Sequence, residues 1–270
     1  MNKKRDKSVI RLSVFLSAAL LLSTSLSFAQ KGFHMEEKKL YEKYKMAVQY
    51  FEEGKELYNE NKFNKAEDKF EECLKVFPQH AQANFYLAHI NYINNNLENA
   101  LRYIDEAKKN FEFMNQIYAL GYEEYTSQLR AQRDVLKNRI QQYQELEQRT
   151  SQQQEKQKIS AQISQLQTEL GTITSRLAEP LPEKKEVPAD YFYMHGNINF
   201  KLKRYQESLS QYIEAVNHNP KHEKAYNNII NLYFMAKHYQ KALELIGRAE
   251  AAGVVVNIKL KEAVRAAIKN

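Results

Sequence analysis

The sequence predicts an all-α chain: a solenoid of helical hairpins interrupted by a long coiled-coil hairpin or helix. Three observations carry this. A pattern of large and small residues recurs with a spacing of 34. Seven Gly and five Pro among 270 residues leave few places to break a helix. Residues 115–178 carry apolar side chains at heptad-like spacing in a setting of Gln, Glu, Lys and Arg.

The recurrence is seen by comparing two stretches. Tyr50, Gly54, Phe63, Ala66, Phe70, Cys73 and Pro78 fall in one register, and Phe192, Gly196, Tyr205, Ser208, Tyr212, Ala215 and Pro220 in the same one. In both, an aromatic precedes the Gly by four residues, and aromatic, small, aromatic, small and Pro follow in fixed order. Small residues are needed where two helix backbones come close, and large ones fill the space around that contact. Proline then ends the second helix. This pattern resembles the tetratricopeptide repeat, a helix-turn-helix unit of about 34 residues. One unit cannot bury its own apolar face, so the resemblance implies a stack of units with a continuous core.

The elements are predicted in order as follows. Residues 1–29 have the form of a secretory signal: Lys3, Lys4, Arg5 and Lys7, an apolar run from Val14 to Leu22, then Ser27-Phe28-Ala29 before a cut. The rival reading is an uncleaved membrane anchor, but the apolar run is short and interrupted by Ser, which favours cleavage near Ala29; the mature protein is then expected outside the cytoplasm, periplasmic or secreted, with only transient membrane contact. Residues 30–46 are expected as a lead-in helix. Residues 47–114 form two repeats. The second carries Leu87, Ala88, Tyr92, Ala100, Ile104 and Ala107 in phase, and has Glu112 where the first has Pro78.

Residues 115–178 break the schedule. Tyr118, Tyr122 and Tyr125 keep the phase of a third repeat's first helix, but no matching second helix follows. Instead there are two apolar sets. One is Leu129, Leu136, Ile140 and Tyr143, and the other Ile159, Ile163, Leu166, Leu170, Ile173 and Leu177. Two structures fit. A single helix of more than 60 residues would reach about 90 Å at a 1.5 Å rise and need a second chain. An antiparallel hairpin turning at residues 149–152 would pair the two sets within one chain, as an elongated third repeat. The loss of heptad phase between the sets favours the hairpin, while the turn's lack of Gly or Pro counts against it. Pro180, Pro182 and Pro188 make 179–188 a linker. Residues 189–256 are two further repeats, and 257–270 an amphipathic helix that closes the stack.

Composition narrows the function. The net charge is +7, but 1–29 holds five of the basic residues and one acid; 35 basic and 32 acidic residues follow, a net of +3. That gives no case for nucleic acid. Phosphate-binding Gly loops, His-Glu-x-x-His and Gly-x-Ser-x-Gly are absent from the sequence. His218 and His222 flank Pro220 without an adjacent ligand, so no metal or cofactor is expected. Cys73, the single cysteine, falls at a packing position and reads as a buried thiol. The chain is expected not to be an enzyme.

The resemblance implies instead a binding groove lined by the first helix of each unit. The candidates are Phe51, Lys55, Tyr58 and Asn59, then Phe85, His89 and Tyr92. In the later pair they are Tyr193, Asn197, Phe200 and Lys201, then Asn227, Asn231 and Phe234. Rings cover apolar side chains and amides bond an extended backbone, which suits a peptide or protein partner. The competing reading is that several of these rings pack between neighbouring helices. A structural homo-oligomer joined through 115–178 is the alternative function.

Overall fold

The computed structural model describes residues 36–180 and 183–269. The signal at 1–29 and the start of the lead-in lie outside the described residues. Among the described residues ten helices follow one another: α1 (36–59), α2 (Phe63–Val76), α3 (Ala81–Ile93), α4 (Leu97–Arg149), α5 (Gln153–Leu177), α6 (Ala189–Lys201), α7 (Tyr205–His218), α8 (Glu223–Met235), α9 (Tyr239–Ala251) and α10 (Ile258–Lys269). None of these helices is long and apolar enough to cross a membrane.

Four helical hairpins repeat: α1–α2, α3 with the start of α4, α6–α7, and α8–α9. Their internal turns are the same structure four times. Asn61, Asn95, Lys203 and Lys237 all adopt φ near +60°. In each turn that residue's N–H bonds the carbonyl three residues back, and the next N–H reaches five back, as in Lys62 to Leu57 at 2.9 Å and His238 to Tyr233 at 2.9 Å. This is a Schellman cap, which satisfies the last carbonyls of the first helix and reverses the chain. Asparagine, which tolerates that conformation, stands at Asn61 and Asn95; the other two left-handed residues are lysines, which bear its steric cost.

Two of the first helices begin on a histidine. His80 Nδ1 accepts from the Ala83 N–H at 3.2 Å, and His222 Nδ1 from the Ala225 N–H at 3.1 Å. Both therefore act as N-caps in place of the usual Ser, Thr, Asp or Asn. His222 also reaches Asp190 Oδ1 with Nε2 at 3.3 Å. The residue equivalent to Asp190 in the first pair is Val48, and His80 Nε2 is buried with no partner.

The small-residue positions work as their spacing requires. Ala66, Ala100, Ser208 and Ala242 are fully buried. Ser208 donates to the Gly196 carbonyl at 2.9 Å, and the Tyr212 ring lies directly over Gly196. Cys73 is buried, and burial pushes its thiol up to about 12.

The long segment differs from the expectation of a third repeat. α4 is continuous from Leu97, so the boundary drawn at 114/115 falls inside one helix, and Tyr118, Tyr122 and Tyr125 extend the second helix of the second repeat. Glu112 in place of the terminal Pro leaves the helix free to continue there. α4 then packs with α5 as an antiparallel pair that turns at 150–152. Leu129, Leu136 and Ile140 are buried against Ile159, Ile163, Leu166 and Ile173. The lead-in boundary also dissolves, since 36–59 is one helix.

The array resumes beyond the arm as if the arm were absent. α6 packs on the first part of α4: Phe85 of α3 stacks on Tyr191 at 4.4 Å and 9°, and Phe111 meets Tyr191 edge-on at 5.7 Å. Tyr191, Met194 and Ile198 join the core formed by α1 to α4, and a second core runs from Tyr212 to Val264.

Candidate functional site

The first helices of the four units lie side by side, with α10 in the next place. Tyr58 of α1 meets His89 and Tyr86 of α3. Lys201 of α6 donates to the Tyr92 carbonyl at 3.1 Å, with its ammonium 4.0 Å from the Tyr92 ring centre. Asn228 of α8 donates to Asn197 Oδ1 of α6 at 3.2 Å, and the Asn257 N–H, just before α10, donates to Asn227 Oδ1 at 2.8 Å. The face predicted as a groove is thus contiguous across the inserted arm, because Tyr92 and Lys201 meet although 109 residues separate them.

Its residues divide by what they touch. Phe51 is a correction: it is 8% exposed and packs 4.7 Å from His80 and 5.9 Å from both Phe70 and Tyr86, so it belongs to the core. Its position faces the junction of two units, where a ring buries more area than it would on the surface. Phe85 is likewise stacked between helices. Tyr193 lies 4.9 Å from the His222 ring and 5.8 Å from Tyr212. Phe200 and Phe234 each sit 5.6 Å from the aromatic that opens the following helix, Tyr205 and Tyr239.

The polar members are largely engaged within the chain. Tyr58 and His89 share a short hydrogen bond, and burial lowers the imidazole pKa and raises the phenol's. Asn197 accepts from the Tyr212 hydroxyl at 2.8 Å. The Asn227 carboxamide straddles the segment before α10, with Nδ2 3.5 Å from the Val255 carbonyl. Lys55 pairs with Glu52 at 3.1 Å. Asn59 is exposed at the end of α1, and among the described residues the Asn231 carboxamide bonds only Met235 Sδ, at 3.6 Å. Ile93 and Met235, which the sequence reading missed, are 44% and 50% exposed on the last turns of α3 and α8. Their place, one residue beyond Tyr92 and Phe234, is the signal that could have found them.

A second polar group lies at the junction that spans the insertion. Lys108 Nζ is 2.7 Å from His195 Nδ1 and donates to Gln211 Oε1 at 2.9 Å, and Asp105 is 3.6 Å from the same ring nitrogen. Burial, with the Lys108 charge adding to it, lowers His195 to about 3. The ring is therefore neutral at pH 7, and Nδ1 accepts from the ammonium. This group ties α4, α6 and α7 together. Among the described residues no set of three His, Cys, Asp or Glu is placed to hold a metal ion.

Stacked helical hairpins of 34 residues define a helical-repeat protein. The family model of the tetratricopeptide repeat matches residues 51–115 and 193–253, the two stretches on either side of the arm. No curated protein matches the chain. Among solved structures, the chain is similar to a thermophilic tetratricopeptide repeat protein of Thermus thermophilus, with 13% identity, 83% of this chain and 100% of the other covered, and a TM-score of 0.33. It is similar also to YrrB, described as having an unusual peptide-binding site, with 14% identity, 83% and 92% covered and a TM-score of 0.31. A third is the type IV pilus biogenesis factor PilW, with 11% identity, 83% and 87% covered and a TM-score of 0.38. At those scores the likenesses carry no argument about function.

Proposed function

We propose that this chain is a non-enzymatic, exported scaffold. It takes a peptide or partner protein on the face of α1, α3, α6 and α8, and presents the α4–α5 hairpin as a projecting arm. The observation that carries the reading is the contiguity of that face. Tyr92–Lys201 and Asn197–Asn228 close the units into one surface, at whose edges Asn59, Ile93, Asn231 and Met235 offer amides and apolar groups. Such a mixture suits an extended chain whose backbone needs hydrogen bonds and whose side chains need cover. Export rests on the basic and apolar run at 1–29; N-terminal sequencing of the processed protein should begin at Gln30. Four variants of the chain, each bearing one photocrosslinking residue, test the face. Asn59 and Asn231 should crosslink to a partner, and Glu71 and Glu244, exposed on α2 and α9, should not. Crosslinks from Glu71 and Glu244 alone would refute the face.

The homo-oligomer is the weaker reading. The apolar stripe that would drive pairing between chains is covered by α5 of the same chain. Light scattering should accordingly give a monomer mass.

A further inference from the structure

The buried core of the array ends on α4 at Ile117, and the arm's own seam begins at Leu129. Between them α4 must cross about 18 Å at 1.5 Å per residue, and Gly121, the residue that most weakens a helix apart from proline, lies in that gap. A lone helix there would be the natural place to bend. The structure grips α4 in and just before this stretch from two sides. From one side comes the N-terminal part of α1. A Cβ on Gly121 would stand 2.6 Å from the Tyr41 hydroxyl, so the glycine is what lets the two helices cross so closely. The Tyr44 ring meets Tyr118 edge-on at 6.1 Å, and Lys45 pairs with Glu124 at 3.5 Å. From the other side comes the extended segment 183–188. The Asn115 carboxamide binds the Lys185 backbone twice, donating to its carbonyl at 2.8 Å and accepting from its N–H at 3.2 Å. Glu112 pairs with Lys184 at 2.5 Å, and the Lys185 ammonium lies 5.9 Å from the Tyr118 ring centre; at the base of the arm the Tyr122 hydroxyl donates to the Glu179 carbonyl at 2.7 Å.

We propose that residues 36–46 and 183–188 form a two-sided brace that fixes the arm at one angle to the repeat array, with Tyr41 and Asn115 as its positioning residues. Arm and array then move as one body, and whatever binds the arm is held at a set distance from whatever binds the array. A repeat protein with a flexible appendage would leave that distance free. The brace stands whether or not the groove takes a peptide.

The test is a distance measurement on the full chain. Spin labels go on Ser151→Cys at the arm's turn and Gln240→Cys on α9, both exposed; the native Cys73 is buried and takes no label. The expected result is one narrow distance distribution, at least doubled in width by Tyr41→Ala with Asn115→Ala. Tyr41→Phe should keep it narrow, because the ring stays over Gly121. A broad parent distribution, or an unchanged width in the double variant, would overturn the brace. If the double variant fails to fold, Asn115→Ala alone serves, since its lost bonds lie at the surface. Trypsin should then cut after Lys184 and Lys185 about tenfold faster than in the parent, and an unchanged rate would overturn the proposal.

Discussion

Replacing Gly196 by alanine sets two known effects against each other. Alanine is the better helix former by about 1 kcal/mol, so in an open helix the change stabilises. At Gly196 the new methyl would lie 2.5 Å from both Cδ1 and Cε1 of Tyr212 and 3.1 Å from Cζ. Carbon atoms prefer about 3.5–4.0 Å, so the ring must retreat by about 1 Å. It has little room: Tyr212 is 1% exposed, its hydroxyl is fixed to Asn197 Oδ1, and Tyr193 lies beside it. Overpacking of this kind costs about 1–3 kcal/mol. The net effect should be a loss of roughly 0–2 kcal/mol, with about 1 most representative.

The contrast makes the prediction sharp. Gly171 in α5 and Gly247 in α9 have nothing within 4 Å of a built Cβ. Alanine there should stabilise by up to about 1 kcal/mol. Gly54→Ala, whose methyl would meet Phe70 at 2.8 Å, should fall between these cases. Urea unfolding followed by far-ultraviolet circular dichroism gives the order: Gly247→Ala above the parent, then Gly54→Ala, then Gly196→Ala. Adding Tyr212→Leu removes the ring, so the double variant should be less destabilised than the sum of the two single changes by at least about 1 kcal/mol. Equal stability of Gly196→Ala and Gly247→Ala would refute the claim that this glycine exists to seat the tyrosine.

Three further outcomes follow from the same structure. Burial lowers the His80 pKa to about 4 from an ordinary 6.5, with a backbone hydrogen bond opposing it in part, and its cap needs the neutral ring. The cap's stability is then present above pH 6.5 and lost as the pH falls toward 4, about 2 kcal/mol between pH 7 and 5. Paired urea titrations should show His80→Asn, which keeps a capping acceptor, losing less over that interval than the parent. Lys203→Gly and Lys237→Gly should each raise stability by about 1 kcal/mol, because the left-handed conformation costs glycine nothing; a fall in midpoint would contradict the turn geometry. Replacing 126–177 by a short glycine turn should leave the array's thermal midpoint within a few degrees of the parent's, since the array's core closes without the arm; loss of helical signal would show that the array depends on it.

The parts legible in the sequence were those where one residue type has one physical reason to be present. Gly54 and Gly196 could be read because only a missing Cβ admits Phe70 and Tyr212 so closely, and the two heptad sets because their complement lies in the same chain. The Schellman turns were mostly invisible, since Lys203 and Lys237 do not advertise positive φ and are tolerated only because the cap's hydrogen bonds outweigh the strain. Histidine as an N-cap was invisible for a similar reason: whether its Nδ1 meets the backbone N–H three residues on is a property of the fold. The continuity of α4 turned on an absence, the proline missing at Glu112, which permits a long helix without requiring one. The tertiary contacts that favour it come from α1, against Gly121, and from the 183–188 segment, against Asn115 and Tyr118. The groove residues were hardest, because the same ring can serve a ligand or a neighbouring helix, and only the packing decides. Phe51 went to the core, Lys201 to Tyr92, and Asn227 to the segment before α10. The side chains left with spare capacity, Asn59 and Asn231, are short and polar, and the exposed apolar groups on the last turns of the same set of helices are Ile93 and Met235. A partner should therefore be read first at the edges of that face, where the chain has not already used its own hydrogen bonds.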